Sequence, residues 1–153
     1  MRIHAYSAGS RTATTHPEVA PGTRLRELVI VETDVAAYQV GNDVEVDVEL
    51  TVAEIFGDGP GHVVVHPCRE IKITINYAGT DKVITGRPSA RIGGIRARAI
   101  AELMLDPQSS ADLVLRLPDT TEELPEGSPV GAYVPSRTCT LTLDLVHASR
   151  PQG

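Results

Sequence analysis

Residues 72–85 read Lys-Ile-Thr-Ile-Asn-Tyr-Ala-Gly-Thr-Asp-Lys-Val-Ile-Thr and contain two short runs in which apolar and polar side chains alternate. Alternation with a period of two places the apolar side chains on one face of an extended strand. Gly79 interrupts the alternation and supplies the conformational freedom that a tight turn needs. The segment therefore predicts a β-hairpin with strands over residues 72–77 and 82–85.

The rest of the second half predicts one helix and two further strands. Gly93-Gly94 precedes a stretch whose apolar residues share one helical face, and Asp106-Pro107 ends it. Those apolar positions are Ile95, Ala99, Ile100, Leu103 and Met104. Residues 112–117 predict a strand, and residues 118–135 predict a long connection rich in proline, glycine and acids. Residues 138–146 form the clearest strand, because cysteine and three leucines alternate with threonine and aspartate.

A shift of 70 residues places the first half of the chain on the second. Ile3 falls on Ile73, and Ala8-Gly9-Ser10 falls on Ala78-Gly79-Thr80. Residues 64–69 align with the end of the last strand and the residues after it, once a second half that is longer by about a dozen residues is allowed for. Matches in the same order at both ends predict a duplicated unit of about 70 to 80 residues, a size that can fold alone.

The first half predicts the same order of elements. Residues 3–16 form a hairpin, and Leu25, Leu28 and Val29 have the spacing of a short amphipathic helix with Thr23 as its N-cap. The later elements are a strand over 35–40, a turn over 41–43, a strand over 44–50 with an acidic outer face, a helical turn over 51–56 and a strand over 62–66. Because only residues 67–70 link the halves, we expect the two units to touch or to be restricted in orientation.

The composition argues against several classes of function. Acidic residues number 20 and basic residues 14, and no basic run appears, so nucleic-acid binding is not expected. The longest apolar runs, such as 28–31 and 63–65, are far shorter than a membrane span. No apolar signal region follows the first residues, so a cytoplasmic location is expected.

The two cysteines, Cys68 and Cys139, are too few for a disulfide framework. Nothing else in the sequence indicates export, so both are expected to be reduced, although a single bridge is compatible with the sequence. Cys139 alternates with leucines and is therefore predicted to lie in the core. Since no serine or cysteine lies in a recognisable nucleophile motif, the chain is not expected to be an enzyme.

Three other groups of residues resemble ligand sites but are better explained by structure. His62, His66 and Cys68 share one face of a strand, which spreads them over about 20 Å and is too far for one zinc ion. The alternating acids of residues 43–49 are expected to form a solvated face rather than a calcium site. Gly93-Gly94, with arginines nearby, lacks both phosphate-loop fingerprints and is interpreted as a strand-to-helix turn.

The order of hairpin, helix, strand, short helical turn and final strand resembles the ubiquitin-like β-grasp fold in both halves. Residues 50–56, the glycine-rich turn after them and residues 62–65 look like the short helical turn and last strand of ubiquitin. Residues 140–146, with a tail that carries Arg150 and ends on Gly153, look like its last strand and tail. The chain as a whole resembles the bacterial two-domain ubiquitin-like modifiers of antiphage operons, the Bil/Bub type.

This resemblance implies an α+β fold of two tandem ubiquitin-like β-grasp domains with a short linker. The expected boundaries are 1–68 for the first domain, 69–147 for the second and 148–153 for a flexible C-terminal conjugation tail. The expected function is that of a non-enzymatic protein modifier without a cofactor, whose reactive group is the carboxylate of Gly153. Glycine suits that position because it has no Cβ to crowd attack at its carbonyl carbon.

The resemblance also implies the partners. An E1-like activating enzyme would adenylate Gly153 with ATP, and an E2-like conjugating enzyme would deliver it to an amine of a target protein, of phage origin by analogy with those operons. A JAB-type, deubiquitinase-like peptidase would remove it again. Arg150, Pro151 and Gln152 are the expected tail-recognition residues, because proline favours an extended tail and arginine can pair with acidic groups.

Ubiquitin ends in Gly-Gly, whereas this tail has Gln152 before its last glycine. A side chain there would crowd the narrow channels through which such tails are threaded, which leaves open a non-covalent β-grasp adaptor. A third alternative is a single β-rich structural domain with one core and no internal repeat. Because Lys72 and Lys82 are the only lysines, we expect little branching into chains.

Overall fold

The computed structural model describes residues 1–135 and 138–148. These residues form two four-stranded sheets with the orders β2-β1-β4-β3 and β6-β5-β8-β7. In each sheet the first and last strands lie side by side and parallel in the centre, and each is flanked by one antiparallel strand. This is the β-grasp arrangement, and it occurs twice. The alternative of a single core without an internal repeat is therefore wrong.

The N-terminal domain contains the first sheet. Its elements are β1 (Ile3–Ser7), β2 (Thr14–His16), β3 (Ala36–Gln39), α1 (Val52–Phe56) and β4 (Gly61–His66). Thr51 caps α1 as a capping box, because its hydroxyl accepts from Glu54 N at 3.2 Å and the Glu54 carboxylate accepts from Thr51 N at 2.7 Å. The predicted hairpin, β3, helical turn and last strand of this half are confirmed.

The C-terminal domain contains the second sheet and the longer helix. Its elements are β5 (Ile71–Tyr77), β6 (Thr80–Gly86), α2 (Ile92–Glu102), β7 (Leu113–Arg116) and β8 (Thr140–His147). Ile95 and Ala99 of α2 are fully buried against the inner face of the sheet, in one core with alternate residues of β5 and β8. Ile73 lies in this core and Ile3 in that of the N-terminal domain, as the shift of 70 residues predicts.

The predicted strand over 44–50 is wrong. Its alternation is real, since Val46 and Val48 are half-buried while Val44 is 69% exposed. Side-chain oxygens, however, take the backbone donors that a strand ladder would use: the Asn42 side chain accepts from Val44 N, and the Asp47 side chain accepts from Glu49 N, each at 2.9 Å. The segment is therefore a connection with one isolated bridge to β3.

The helix predicted after Thr23 is reduced to a single 3-10 turn, Leu25–Glu27, and its N-cap is Arg24. The backbone N–H groups of Leu25 and Arg26 donate to carbonyls of residues 50 and 48, so the chain is tied to the 44–50 connection at the start of the turn. The β-branched run that follows, residues 29–31, also disfavours a longer helix.

The expectation of two reduced cysteines is wrong, because Cys68 and Cys139 form a disulfide. Strands β5 and β8 are parallel neighbours, with Lys72 opposite Thr140. The residues that precede the two strands therefore meet at the same end of the sheet, despite a separation of 71 residues. Cys139 also does not belong to β8: it precedes the strand with a φ of 51° and is half-buried.

Candidate functional site

The end of β8 is where the chain leaves the second sheet, and it is held by Asp112, just before β7, and by Arg116, the last residue of β7. Ala148 N donates to Asp112 O at 2.8 Å. The side chains of His147 and Asp112 are 3.0 Å apart, Nδ1 to Oδ1, and Arg116 Nη2 donates to His147 O at 3.3 Å. Three contacts thus fix the position and direction of the chain up to residue 148.

Arg96 of α2 holds the segment that provides this anchor. Its guanidinium donates to Leu113 O and, from Nη2, to Ser110 O at 3.1 Å and Ala111 O at 3.2 Å. Only 20% of this side chain is exposed. Arg96 is one of the arginines near Gly93-Gly94, and its donors are directed to backbone carbonyls, which supports the interpretation of that region as structural.

The predicted tail residues, Arg150, Pro151, Gln152 and Gly153, lie outside the described residues. The anchor at Asp112, which holds the chain just before them, could not be found from the sequence. Its partners are separated by about 35 residues and carry no motif, and they meet only because β7 and β8 pair.

The anchor positions a chain end and offers no chemistry of its own. Within residues 1–135 and 138–148 there is no free cysteine. The same residues include no group of three histidine, cysteine or acidic side chains that could hold a metal ion.

The second feature of the molecule is an interface between its two domains. In the N-terminal sheet the outer face, opposite α1, carries Tyr6, Tyr38, Val64 and His66. Tyr38, Val64 and His66 are at most 1% exposed. A 3-10 turn, Val130–Tyr133, in the long connection of the C-terminal domain packs on this face and contacts β1 and β4. The sequence predicts only that the halves touch.

His66 lies at the centre of this interface and joins the domains by both ring nitrogens. Nε2 lies 3.3 Å from Val134 O, and Nδ1 accepts from Cys68 N at 3.0 Å. In this pattern Nε2 carries the proton and Nδ1 does not, so the ring is neutral. Burial lowers the pKa of His66, and the backbone carbonyls of Val134 and Gly131 oppose that shift only in part.

Polar contacts surround the apolar part of the interface. Gly41 N donates to Ser89 O at 2.8 Å, and Ser89 Oγ donates to Asn42 O at 2.7 Å. Arg69, in the linker, forms an ion pair with Glu45 at 2.9 Å. The bonds of Ser89 thus link the two domains directly, and the ion pair links Arg69 of the linker to the N-terminal domain.

The three residues considered for zinc are separated in the structure. His62 stacks on His4 with ring centroids 4.7 Å apart, whereas His66 lies in the interface and Cys68 in the disulfide. Burial lowers the pKa of His62, and the nearby His4 and Arg91 charges lower it further. Each of the three side chains thus has a different structural role.

Residues 72–148 match the family model of BilA ubiquitin-like domain 2. The match covers just over half of the chain. The chain belongs to this family. The matched segment begins in β5 and ends at the anchored Ala148. It thus contains almost the whole second sheet, and the first sheet repeats that strand order.

Two solved structures are similar to parts of the chain. A ubiquitin of Caldiarchaeum subterraneum has 18% identity over 54% of this chain and 99% of its own, with a TM-score of 0.41. A crystal structure of ATBAG1 in complex with HSP70 has 18% identity over 50% of this chain and 40% of its own, with a TM-score of 0.40. No curated protein sequence matches significantly. Among the described residues no helix is long and apolar enough to cross a membrane.

Proposed function

We propose that the chain is a cytoplasmic protein modifier of bacterial antiphage defence, joined through Gly153 to amines of target proteins. Membership of a ubiquitin-like family supports this proposal, since such domains typically act as non-enzymatic modifiers together with a conjugation machinery. The observation that carries it is the anchor of the matched domain, where Ala148 is bonded to Asp112. A chain fixed at this point presents everything beyond it to a partner from a constant position.

The reach of the tail agrees with this role. Five residues follow Ala148, the last of them Gly153, and five residues span at most about 18 Å when fully extended. That length is enough for the last carboxylate to enter a partner's active site while the domain itself stays outside. The partner would then recognise Arg150, Pro151 and Gln152 on the way.

The proposed chemistry needs three partners. In an E1-like enzyme the Gly153 carboxylate attacks the α-phosphate of ATP and releases pyrophosphate, and a cysteine thiolate then displaces AMP to form a thioester. An E2-like enzyme accepts the thioester and transfers the acyl group to a target amine, which releases its thiol. A JAB-type, deubiquitinase-like peptidase hydrolyses the resulting amide bond.

The first test is formation of the thioester. The purified full chain is incubated with an E1-like activating enzyme and ATP, and the products are separated without reductant. We expect an adduct that hydroxylamine cleaves. Hydroxylamine is chosen because it cleaves thioesters and leaves disulfides intact, so a mixed disulfide through Cys68 or Cys139 is not mistaken for the product.

Deletion of Gly153 is the decisive variant, and Asp58→Asn, at an exposed position in the loop after α1, is the control that leaves the tail unchanged. We expect no adduct from the deletion and a normal adduct from the control. An adduct that forms equally well without Gly153 would show that the reactive group has been assigned to the wrong residue.

Gln152 favours a second candidate, the non-covalent β-grasp adaptor. If the bulk of Gln152 blocks activation, the natural chain forms no thioester and Gln152→Gly gains one. An adaptor would also bind its partner equally well with and without Gly153. Mass spectrometry for the Gly153 remnant on proteins of phage-infected cells then separates the two functions, since only the modifier leaves this remnant.

A further inference from the structure

The disulfide joins two sulfur atoms in very different environments. Cys68 is 1% exposed and belongs to the core of the C-terminal domain, whereas Cys139 is only partly buried against that core. Thiol exchange begins when a thiolate attacks one of the two sulfurs in line with the bond, so access decides which sulfur is attacked. Of the two residues, Cys139 is the one that is partly exposed, so we expect attack at its sulfur.

We propose that the Cys68–Cys139 pair is an exchange site for small thiols such as glutathione, which attack at Cys139. The thiolate sulfur bonds to Cys139 Sγ, the bond between Cys139 and Cys68 breaks, and Cys68 leaves as a thiolate that takes up a proton. A second thiolate then attacks the mixed disulfide, and Cys139 leaves in turn. In sum, two small thiols are oxidised to their disulfide and the cystine is reduced to two thiols.

The bond that this exchange opens joins the linker, next to the domain interface, to the residue before β8. Cys68 N donates to His66 Nδ1, and His66 Nε2 contacts Val134 O across the interface. On the other side of the bond, Lys72 N donates to Cys139 O at 2.9 Å and pairs the start of β5 with the residue before β8. Opening the bond therefore releases the linker at the point where it holds both domains.

The remaining contacts should survive the exchange. The apolar cluster on the outer face of the N-terminal sheet and the bonds of Ser89 do not involve either cysteine. We thus expect both domains to stay folded and the linker alone to gain freedom. The uncatalysed exchange should take minutes to hours.

Mapping the intermediate tests the site of attack. The oxidised full chain is incubated with reduced glutathione, quenched with acid, alkylated with N-ethylmaleimide in denaturant and digested. We expect glutathione on Cys139 and maleimide on Cys68 in the same molecules. Glutathione found mainly on Cys68 would overturn the proposal, and so would a purified chain whose two cysteines stay free thiols after air oxidation.

Two single variants test the same asymmetry from the opposite direction. Cys68→Ala leaves only Cys139, and Cys139→Ala leaves only Cys68. With oxidised glutathione we expect the first variant to form its mixed disulfide at least about tenfold faster than the second. Equal rates in two variants that both show a cooperative thermal transition would contradict the proposal, and the mapping of the natural chain decides the matter if either variant fails to fold.

Amide hydrogen exchange tests the consequence. Reduction should speed exchange at the amides of Cys68 and Lys72, while amides in the centre of β5 and in α2 stay protected as in the oxidised chain. If the linker amides exchange at the same rate in both forms, the disulfide does not hold the linker. If protection is lost throughout the C-terminal domain, the bond is a folding requirement and not an exchange site.

Discussion

The two domains share one sheet order but differ in what covers the sheet. In the C-terminal domain an eleven-residue helix crosses the inner face and buries Ile92, Ile95 and Ala99. In the N-terminal domain the corresponding segment makes one 3-10 turn and then an irregular apolar stretch in which Ile30 is 83% exposed. The β-grasp sheet can thus be covered by a helix or by a looser segment, residues 28–31, which we call the strap. The second domain is the better packed of the two.

The outer faces of the two sheets also differ, and here the N-terminal domain has the more deeply buried face. The N-terminal sheet buries Tyr38 and Val64 against the neighbouring domain, whereas the C-terminal sheet exposes the corresponding face, with Lys72 and Thr142 in solvent. One domain thus uses its second face inside the molecule, and the other leaves it available. Among the described residues, the outer face of the C-terminal sheet is therefore the sheet face that a partner protein can contact.

The largest effect that separates the domains should come from the disulfide, whose loop of 71 residues encloses most of the C-terminal domain. Cys68→Ala combined with Cys139→Ala should lower the free energy of unfolding by about 4 kcal/mol, because the unfolded chain regains the freedom of that loop. Urea denaturation without reductant measures it. The natural chain in dithiothreitol is the matched control and should unfold with the variant; a natural chain indifferent to reductant would contradict the prediction.

A pair of truncations compares the two covers directly. Ile95→Ala empties a fully buried position beneath α2 and should cost about 3 kcal/mol of stability, since a cavity remains. Leu28→Ala removes a half-buried side chain from the strap of the N-terminal domain and should cost about 1 kcal/mol. Thermal unfolding of the two variants gives the difference. Equal losses would mean that the strap packs as tightly as the helix.

The sequence predicts those elements of the two domains whose signals lie within a few residues of one another. The hairpin at 72–85, α2 and β8 follow from periodicity, and α1 follows from Thr51 and Glu54, because all of these signals lie within a few residues. The strand over 44–50 fails because Asn42 and Asp47 offer the backbone another partner. Periodicity records which side chains are buried and does not record where the backbone bonds go.

The candidate site is less predictable because its contacts are distant in sequence. The tail residues follow from a family likeness, but the Asp112 anchor, the disulfide and the interface each join residues that only the sheet order brings together. His66 shows the limit clearly: its alternation with His62 is visible in the sequence, yet its contact across the interface is with Val134 O, 68 residues further on.

The covered face of the N-terminal domain should make stability depend on pH through His66. Burial lowers the pKa of His66 in the folded chain, so the unfolded chain takes up the proton first as the pH falls below about 6.5. The free energy of unfolding should then decrease with falling pH, by at most about 1.4 kcal/mol per pH unit from this group. Urea denaturation between pH 7.5 and 5.5 measures the slope.

Two variants test which histidine causes this dependence of the free energy of unfolding on pH. His66→Gln should flatten it, because the titrating group is gone while an amide can still bond to Cys68 N. His62→Gln should flatten it less, since His62 has a lowered pKa but is only partly buried. If the free energy of unfolding of His66→Gln depends on pH as steeply as that of the natural chain, protonation of His66 does not cause the loss of stability at low pH.

The smallest effect concerns the two lysines, and it depends on the proposed function. Lys72 lies on the open outer face of the C-terminal sheet, whereas Lys82 points to the inner side and pairs with Glu102 of α2 at 3.7 Å. An exposed ion pair is worth about 0.2–1 kcal/mol, so self-linkage should favour Lys72 over Lys82 by at most about fivefold. Peptide mapping of the self-linked fraction gives the ratio. Glu102→Gln removes the ion pair and should shift self-linkage toward Lys82. If the ratio of linkage at Lys72 to linkage at Lys82 does not change in this variant, the ion pair is not the cause of the preference, and the different exposure of the two sheet faces is.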